Sequence, residues 1–382
     1  MNNFEFYNPT QIVFGKGQIE KLKDLIPTDK KILMIFGGGS IKNNGVYDQV
    51  KKSLMDHTLF EFGGIESNPK YETAIKAIEL ARAEKIDYLL AVGGGSVIDA
   101  TKFISAAINF DGDAWDIPSK NATFENPLPF GTVLTLPATG SEMNCFSVMS
   151  KGSDKLGFGN PSLFPKFSIL DPQVTYTLSE KQLGNGLVDA FVHTTEQYLT
   201  KDVNTPLQDR IAEGILQTLV EEADKVIHIK EDYESRANFM WSATMALNGL
   251  IGSGVVHDWA THMIGHELTA LHGIDHGRSL AVVLPSLLRE LKEQKKVKLL
   301  QFAQRVWGIE GGTPDERIEK AIVCMEDFFN KVGVPTKLKV YKITEDDLPT
   351  IVSALRSHIP ANLGEAQNID QDMVLRILKR AL

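Results

Sequence analysis

Residues 88–99, YLLAVGGGSVID, decide the fold class of this chain. An unbroken apolar run, Tyr88 to Val92, enters three glycines, and a helical pattern then continues through Phe103 and Ala107. A short apolar run closed by glycine reads as a strand buried on both faces, as in a parallel sheet. Residues 31–40, KILMIFGGGS, repeat the unit upstream. Glycines let the backbone approach a ligand closely, and the N–H groups that open the next helix favour an anion such as a pyrophosphate. Neither turn is the G-x-G-x-x-G fingerprint, and one such turn alone usually serves chain reversal. Two, each directly after an apolar strand, point to a nucleotide.

Working outward, further strands are expected at 11–14, 59–63 and 168–172, with helices at 17–26, 48–54 and 72–84. A third strand-and-turn unit is GTVLTLPATGSEMN, 131–144, whose Thr135, Thr139, Ser141 and Asn144 offer hydroxyl and amide groups. From Ser179 the composition changes and helical periodicity dominates: 183–199, 207–226, 233–250, 259–271, 280–291, 296–307, 317–332, 348–355 and 371–382. Pro206, Gly273, Gly277, Gly311, Gly312 and Pro314 supply breaks. Alternating strands and helices followed by helices alone give an α/β domain, 1–180, with a parallel Rossmann-like sheet, and an all-helical domain, 181–382.

The bulk numbers agree. A chain of 382 residues exceeds the usual single core. An apolar content of 43% and a charged content of 23% are ordinary for a soluble globular protein, and a net charge of −9 argues against a nucleic-acid partner. Cys145 and Cys324 match no metal or redox spacing, which suits a reducing cytosol. The N-terminal MNNFEFYNPT lacks a basic stretch followed by an apolar one, so no secretory signal is expected. No run of 18 apolar residues is present, so no membrane span is expected either.

Chemistry concentrates in residues 257–276, HDWATHMIGHELTALHGIDH, which hold five of the nine histidines. His262 and His266 are four apart and share one helix face. Gly273 reads as a helix stop, with His276 just beyond it and free to fold back. Core or surface histidines clustered by chance are the plain alternative. Asp189 and His193, in NGLVDAFVHTTEQY, form a second i, i+4 pair among apolar neighbours. A carboxylate there is costly to bury unless it is paired or bound to a cation. Together with imidazoles it suits a divalent first-row metal, the alternative being an Asp–His hydrogen bond within a helix. Met240, Trp241 and Met245 read as helix core, and the run 292–298 as a solvated helix face. His57, His228 and His358 have no partner legible in the sequence.

Gly93-Gly94-Gly95-Ser96-x-x-Asp99, the 137–141 turn, the Asp189/His193 pair and His262-x13-His276 together resemble the iron-containing (group III) alcohol dehydrogenases, over almost the whole chain. GGIESNP, LTLPATGSE and GLVDAFVHTTEQY are most similar to the bacterial NADPH-dependent aldehyde reductases and butanol dehydrogenases. The resemblance implies a dehydroquinate synthase-like architecture, cytoplasmic location, a homodimer and a small aldehyde or alcohol substrate. It implies metal ligation by Asp189, His193, His262 and His276, and places His266 near substrate as a catalytic residue; spacing alone does not separate His262 from His266. Fe²⁺ or Zn²⁺ is the expected ion, with Ni²⁺ or Mn²⁺ also compatible. Carried over position by position, the cofactor would meet Gly37, Gly38, Ser40, Asn68, Gly94, Gly95, Ser96, Thr135, Thr139, Asn144 and Lys155. NAD-using members carry an Asp just after the first strand; here that turn reads Phe36-Gly37-Gly38-Gly39-Ser40, with Lys42 close behind, so NADP(H) is expected rather than NAD(H). The rival readings are a polyol (glycerol-type) dehydrogenase, a dehydroquinate synthase-like lyase and a regulatory protein that binds metal and nucleotide.

Overall fold

A computed structural model describes the chain from Met1 to Leu382. It contains two units: Tyr7–Leu178 with Lys230–Met240, and Met1–Phe6 with Ser179–Ile229 and Trp241–Leu382. Two contiguous pieces, 1–180 and 181–382, therefore omit an exchange of segments. Lys230–Met240 is helical from Tyr233 onward, so its composition sorts it with the C-terminal half. Its contacts place it with the sheet: Met240 is fully buried in that core, and buried Arg236 donates from Nη1 to the Thr175 carbonyl at 2.8 Å.

The first unit carries eight strands: β1 (Gln11–Phe14), β2 (Lys31–Phe36), β3 (Thr58–Phe62), β4 (Tyr88–Gly93), β5 (Phe130–Leu134), β6 (Phe146–Lys151), β7 (Asp154–Gly159) and β8 (Phe167–Leu170). Six form one sheet in the order β1-β8-β5-β4-β2-β3, every pairing parallel. In β2, Ile32, Leu33, Met34 and Ile35 are fully buried, as the unbroken apolar run requires of a strand covered on both faces. Each such side chain contributes about 1.5–3 kcal/mol relative to leaving it exposed. The chain steps from β2 outward to β3, then returns to place β4 on the other side of β2. The carboxyl ends of β2 and β4 therefore flank the switch point of the sheet, where open α/β folds bind ligands. Both glycine turns leave from those ends.

Sequence periodicity missed the antiparallel β6–β7 hairpin, whose register runs from Phe146↔Gly159 to Lys151↔Asp154. Its signal was present: Gly152-Ser153 is a two-residue turn, with Gly152 at φ 58°.

The second unit is helical. Its longest buried helix, Glu180–Tyr198, starts from a capping box in which Ser179 and Gln182 exchange hydrogen bonds. No helix of the chain is long and apolar enough to cross a membrane. The run 292–298 is solvated only in part: Glu293, Gln294 and Val297 are exposed, but Lys295 and Lys298 are each 3% exposed. Lys295 Nζ donates to Leu199 O, Asp258 Oδ2 and Glu365 Oε1, each at 2.8 Å, and Lys298 pairs with Asp209. A charge run looks solvated when its acidic partners lie dozens of residues away. Trp241 is 40% exposed, whereas Met240 is core as expected. The structure also supplies partners for two histidines: His57 Nε2 meets Ile26 O, and His358 Nδ1 meets Glu267 Oε1, both at 2.9 Å.

Candidate functional site

In the α/β unit the expected nucleotide residues gather around the ends of β2 and β4. Gly37 and Gly38 leave β2, and Ser40 opens the short helix Ser40–Asn43. Gly38 and Ser40 are exposed. Beside them the Lys42 ammonium stands 5.2 Å from the Phe36 ring centroid and 5.1 Å from that of Tyr47. Gly94 caps the helix Gly95–Ala107, whose first residues are Gly95 and Ser96. A Cβ on Gly95 would lie 2.3 Å from Thr139 Oγ1, so only glycine lets the two turns close on each other. Thr135 follows β5 and donates its N–H to Gly93 O at 3.0 Å. Asn68, in left-handed backbone at φ 84°, accepts from Lys155 Nζ at 3.1 Å, so these two residues from distant segments meet.

Asn144 is bound differently from the expectation of a direct cofactor contact. It is 4% exposed, accepts from Lys102 Nζ at 2.9 Å and donates to Gly140 O at 2.9 Å. Lys102 is the residue that sequence reading missed. Fully buried, it also donates to Ser141 Oγ (2.8 Å) and Phe146 O (2.7 Å), which satisfies all three of its protons. Ser141 Oγ in turn donates to Asp99 Oδ1 at 2.6 Å. Burial pushes the Lys102 ammonium down to about 8, and Asp99 opposes that shift. Burial raises the Asp99 carboxyl, with Lys102 and the Ser141 hydroxyl pulling it back. The Asp99-x-x-Lys102 pair thus pins the 141–146 loop to the helix that follows the second glycine turn.

The helical unit holds the metal candidates. Asp189 and His193 project from one face of Glu180–Tyr198, His262 from Ala260–His272, and His276 is the first residue of His276–Glu290 rather than a loop residue folding back. Gly273, at φ 67°, ends the preceding helix. The intervening turn is anchored to the Asp189 helix: Asp275 Oδ2 takes Lys181 at 2.7 Å and Asn185 Nδ2 at 3.0 Å. One ligand atom from each of Asp189, His193, His262 and His276 lies within 4.8 Å of the others. Asp189 Oδ1 is 3.6 Å from His193 Nδ1 and 3.7 Å from His276 Nε2. A tetrahedral ion with bonds of about 2.0–2.2 Å separates its ligand atoms by roughly 3.3–3.6 Å, so the donor set fits one ion. Three sites are buried; the His276 side chain is 23% exposed and opens the cluster on one side. His266 stands outside this set, its ring 5.3 Å from that of His276 and 6.2 Å from that of His262. One carboxylate with three imidazoles accommodates Fe²⁺, Zn²⁺, Ni²⁺ or Mn²⁺.

A further buried acid touches this cluster. Glu196 is 4% exposed; its Oε1 accepts from Thr261 N–H at 2.7 Å and from His262 N–H at 3.4 Å, and its Oε2 meets His262 Nδ1. Burial, and the nearby Asp258 carboxylate, push the Glu196 carboxyl well up, against the backbone N–H groups. No local pattern marks Glu196, because its partner lies 66 residues on.

Two family models match the chain: one described as iron-containing alcohol dehydrogenase over residues 9–172, and one as the C-terminal part of the Fe-containing alcohol dehydrogenase family over 185–382. The chain is 50% identical over 386 residues to the NADPH-dependent aldehyde reductase YqhD of Escherichia coli, with all of each covered. It is 42% identical over 389 residues to the probable NADH-dependent butanol dehydrogenase 1 of Bacillus subtilis, again with all of each covered. Among solved structures, the substrate- and cofactor-free aldehyde reductase YqhD from E. coli superposes with a TM-score of 0.94 at 49% identity, covering 100% of both chains. NADH-dependent butanol dehydrogenase A of Thermotoga maritima gives 0.95 at 39%, covering 100% of this chain and 99% of that one.

Proposed function

The chain belongs to the iron-containing alcohol dehydrogenase family, and from that premise we propose that it moves a hydride reversibly between NADPH and short- to medium-chain aldehydes, giving primary alcohols. The observation that carries this reading is the meeting of Asp189, His193, His262 and His276 within 4.8 Å. A divalent ion held by these four residues supplies Lewis acidity toward a carbonyl oxygen, and the nicotinamide supplies the hydride. Of the four donors only Asp189 is charged, so they leave a divalent charge half neutralised. That suits an oxygen that gains negative charge as the hydride arrives. His276, the partly exposed member, leaves the approach open on its side.

His266 lies beside the donor set and is the candidate source of the alcohol proton. His266→Ala is expected to keep the metal but lower kcat by up to about 10²-fold, at the low end for a positioned acid because water can replace it. Loss of metal from His266→Ala would mean that the wrong member of the His262/His266 pair has been chosen.

The names of the relatives divide between NADPH and NADH, so the choice rests on this chain's own turn. Residues 37–40 offer backbone N–H groups, the Ser40 hydroxyl and the nearby Lys42 charge to a 2′-phosphate, with no carboxylate among them. NADPH is therefore the cofactor we assign, bound by residues 37–40, 94–96, Asn68, Thr135, Thr139 and Lys155, with Asn144 shaping the loop. We further read the protein as a cytosolic homodimer; light scattering on the purified chain tests the dimer.

A phosphorylated or acidic substrate would need cations near the metal residues. Arg278, the one arginine close to the ligand motifs, donates from Nη2 to Gly333 O at 2.9 Å and lies 3.7 Å from Asp275. Uncharged aldehydes should consequently be preferred, each added methylene improving binding by up to about 0.8 kcal/mol until the pocket is full. The test is kcat/KM with NADPH across a series of linear aldehydes, one polyol oxidised with NADP⁺ and one sugar phosphate. A polyol or phosphate far ahead of butanal would favour the rival enzymes.

A further inference from the structure

We infer that Glu196 is a positioning residue for the metal ligand His262, setting which ring nitrogen carries the proton. The inference rests on the metal-centre reading given above.

An imidazole offers a metal only the nitrogen that carries no proton, and the hydrogen bond made by its other nitrogen decides which one that is. Glu196 Oε2 meets His262 Nδ1. Burial raises the Glu196 carboxyl, but a cation held at Nε2 favours its ionised form; the carboxylate then accepts, so the proton sits on Nδ1 and the lone pair on Nε2, the nitrogen remaining for the donor set. The Glu196 helix also carries Asp189 and His193, so a single rigid element holds two ligands and orients a third. A second anchor fixes the same place: Asp258 N–H donates to Glu196 O at 3.0 Å. Asp258 itself caps Ala260 N–H through Oδ1 (3.0 Å) and is held by buried Lys295 through Oδ2 (2.8 Å).

A purely structural role competes. Glu196 Oε1 accepts the N–H groups of Thr261 and His262, two of the orphan donors in the first turn of Ala260–His272. Capping that helix would by itself justify a buried acid. The two roles use different oxygens, and Glu196→Gln separates them. A backbone N–H can only donate, so the amide must turn its oxygen to Thr261 and keep the cap. Its NH₂ then faces His262 Nδ1, which must accept, and the ring proton moves to Nε2. The volume is unchanged and the cap is kept, but the ring presents the wrong tautomer to the ion.

The experiment titrates Co²⁺ into chelator-stripped full-length wild type and Glu196→Gln, reading the visible absorption bands of bound Co²⁺, alongside thermal unfolding of both metal-free proteins. The expected result is roughly 10–100-fold weaker Co²⁺ binding in Glu196→Gln, with the metal-free unfolding temperature unchanged. Equal affinity in the two proteins would overturn the inference. So would a loss of affinity accompanied by a lowered metal-free unfolding temperature, since that is the signature of the cap. Failure of the wild type itself to bind Co²⁺ would instead defeat the metal-centre reading on which the inference rests.

Discussion

His262→Ala should yield a folded protein that binds NADPH, holds no divalent ion and has lost kcat/KM for butanal by on the order of 10³-fold or more. His262 offers one of four candidate ligand atoms drawn from three separate helices, so its removal would leave three donors and open a hole in the cluster. Lewis-acid stabilisation of developing charge is worth several kcal/mol, and each 1.4 kcal/mol is a factor of ten in rate. The α/β unit has its own core, running from Val13 to Met240, so NADPH binding should survive. Elemental analysis, NADPH fluorescence titration and the butanal assay check the three parts separately, and His193→Ala should behave alike. Full metal occupancy in His262→Ala would remove this residue from the ligand set.

Gly38→Asp should reverse cofactor preference. A Cβ at Gly38 meets nothing within 4 Å and its φ is not positive, so a side chain enters without strain. Neighbouring positions are less open: a Cβ on Gly37 would lie 3.3 Å from Ile65 O, and Gly39 has φ 100°. In the wild type, one hydrogen bond from Ser40 to a charged phosphate is worth roughly 1.5–3 kcal/mol, or about tenfold to hundredfold for NADPH over NADH. A carboxylate at position 38 would repel the 2′-phosphate and accept from the free ribose hydroxyls of NADH. The Glu61 carboxylate on β3 does not already play this part, since it takes Tyr47 Oη and Lys51 Nζ, each at 2.8 Å. The check is kcat/KM for each cofactor with one aldehyde, in both proteins. Equal wild-type values, or a ratio unmoved by the substitution, would show that this turn does not read the 2′ position.

What was legible in the sequence follows from the range of each interaction. The strands at 31–36 and 88–93 could be read because burial on both faces leaves an unbroken apolar signature, and the glycine turns mark their ends. The Asp189/His193 pair was legible because a helix brings i and i+4 together. His262 against His266 was not, since helical spacing treats them alike; the position of His276 at the head of the next helix decides which one joins the cluster. Lys295 was misread for the same reason that Glu196 was missed. Their partners, Asp258 with Glu365 and His262, come together only through tertiary packing. Lys102 is the intermediate case: its spacing from Asp99 is local, but the loop it pins lies some 40 residues on.

The metal centre is tested most directly by the NADPH-dependent reduction of butanal by wild-type protein stripped with a chelator and then titrated with Fe²⁺ or Zn²⁺ under anaerobic conditions. Activity should be negligible after stripping, and recovery should saturate at one equivalent of ion per chain, at the site of Asp189, His193, His262 and His276. Full activity in the stripped protein, or recovery in His262→Ala to the wild-type level, would contradict the metal-centre reading.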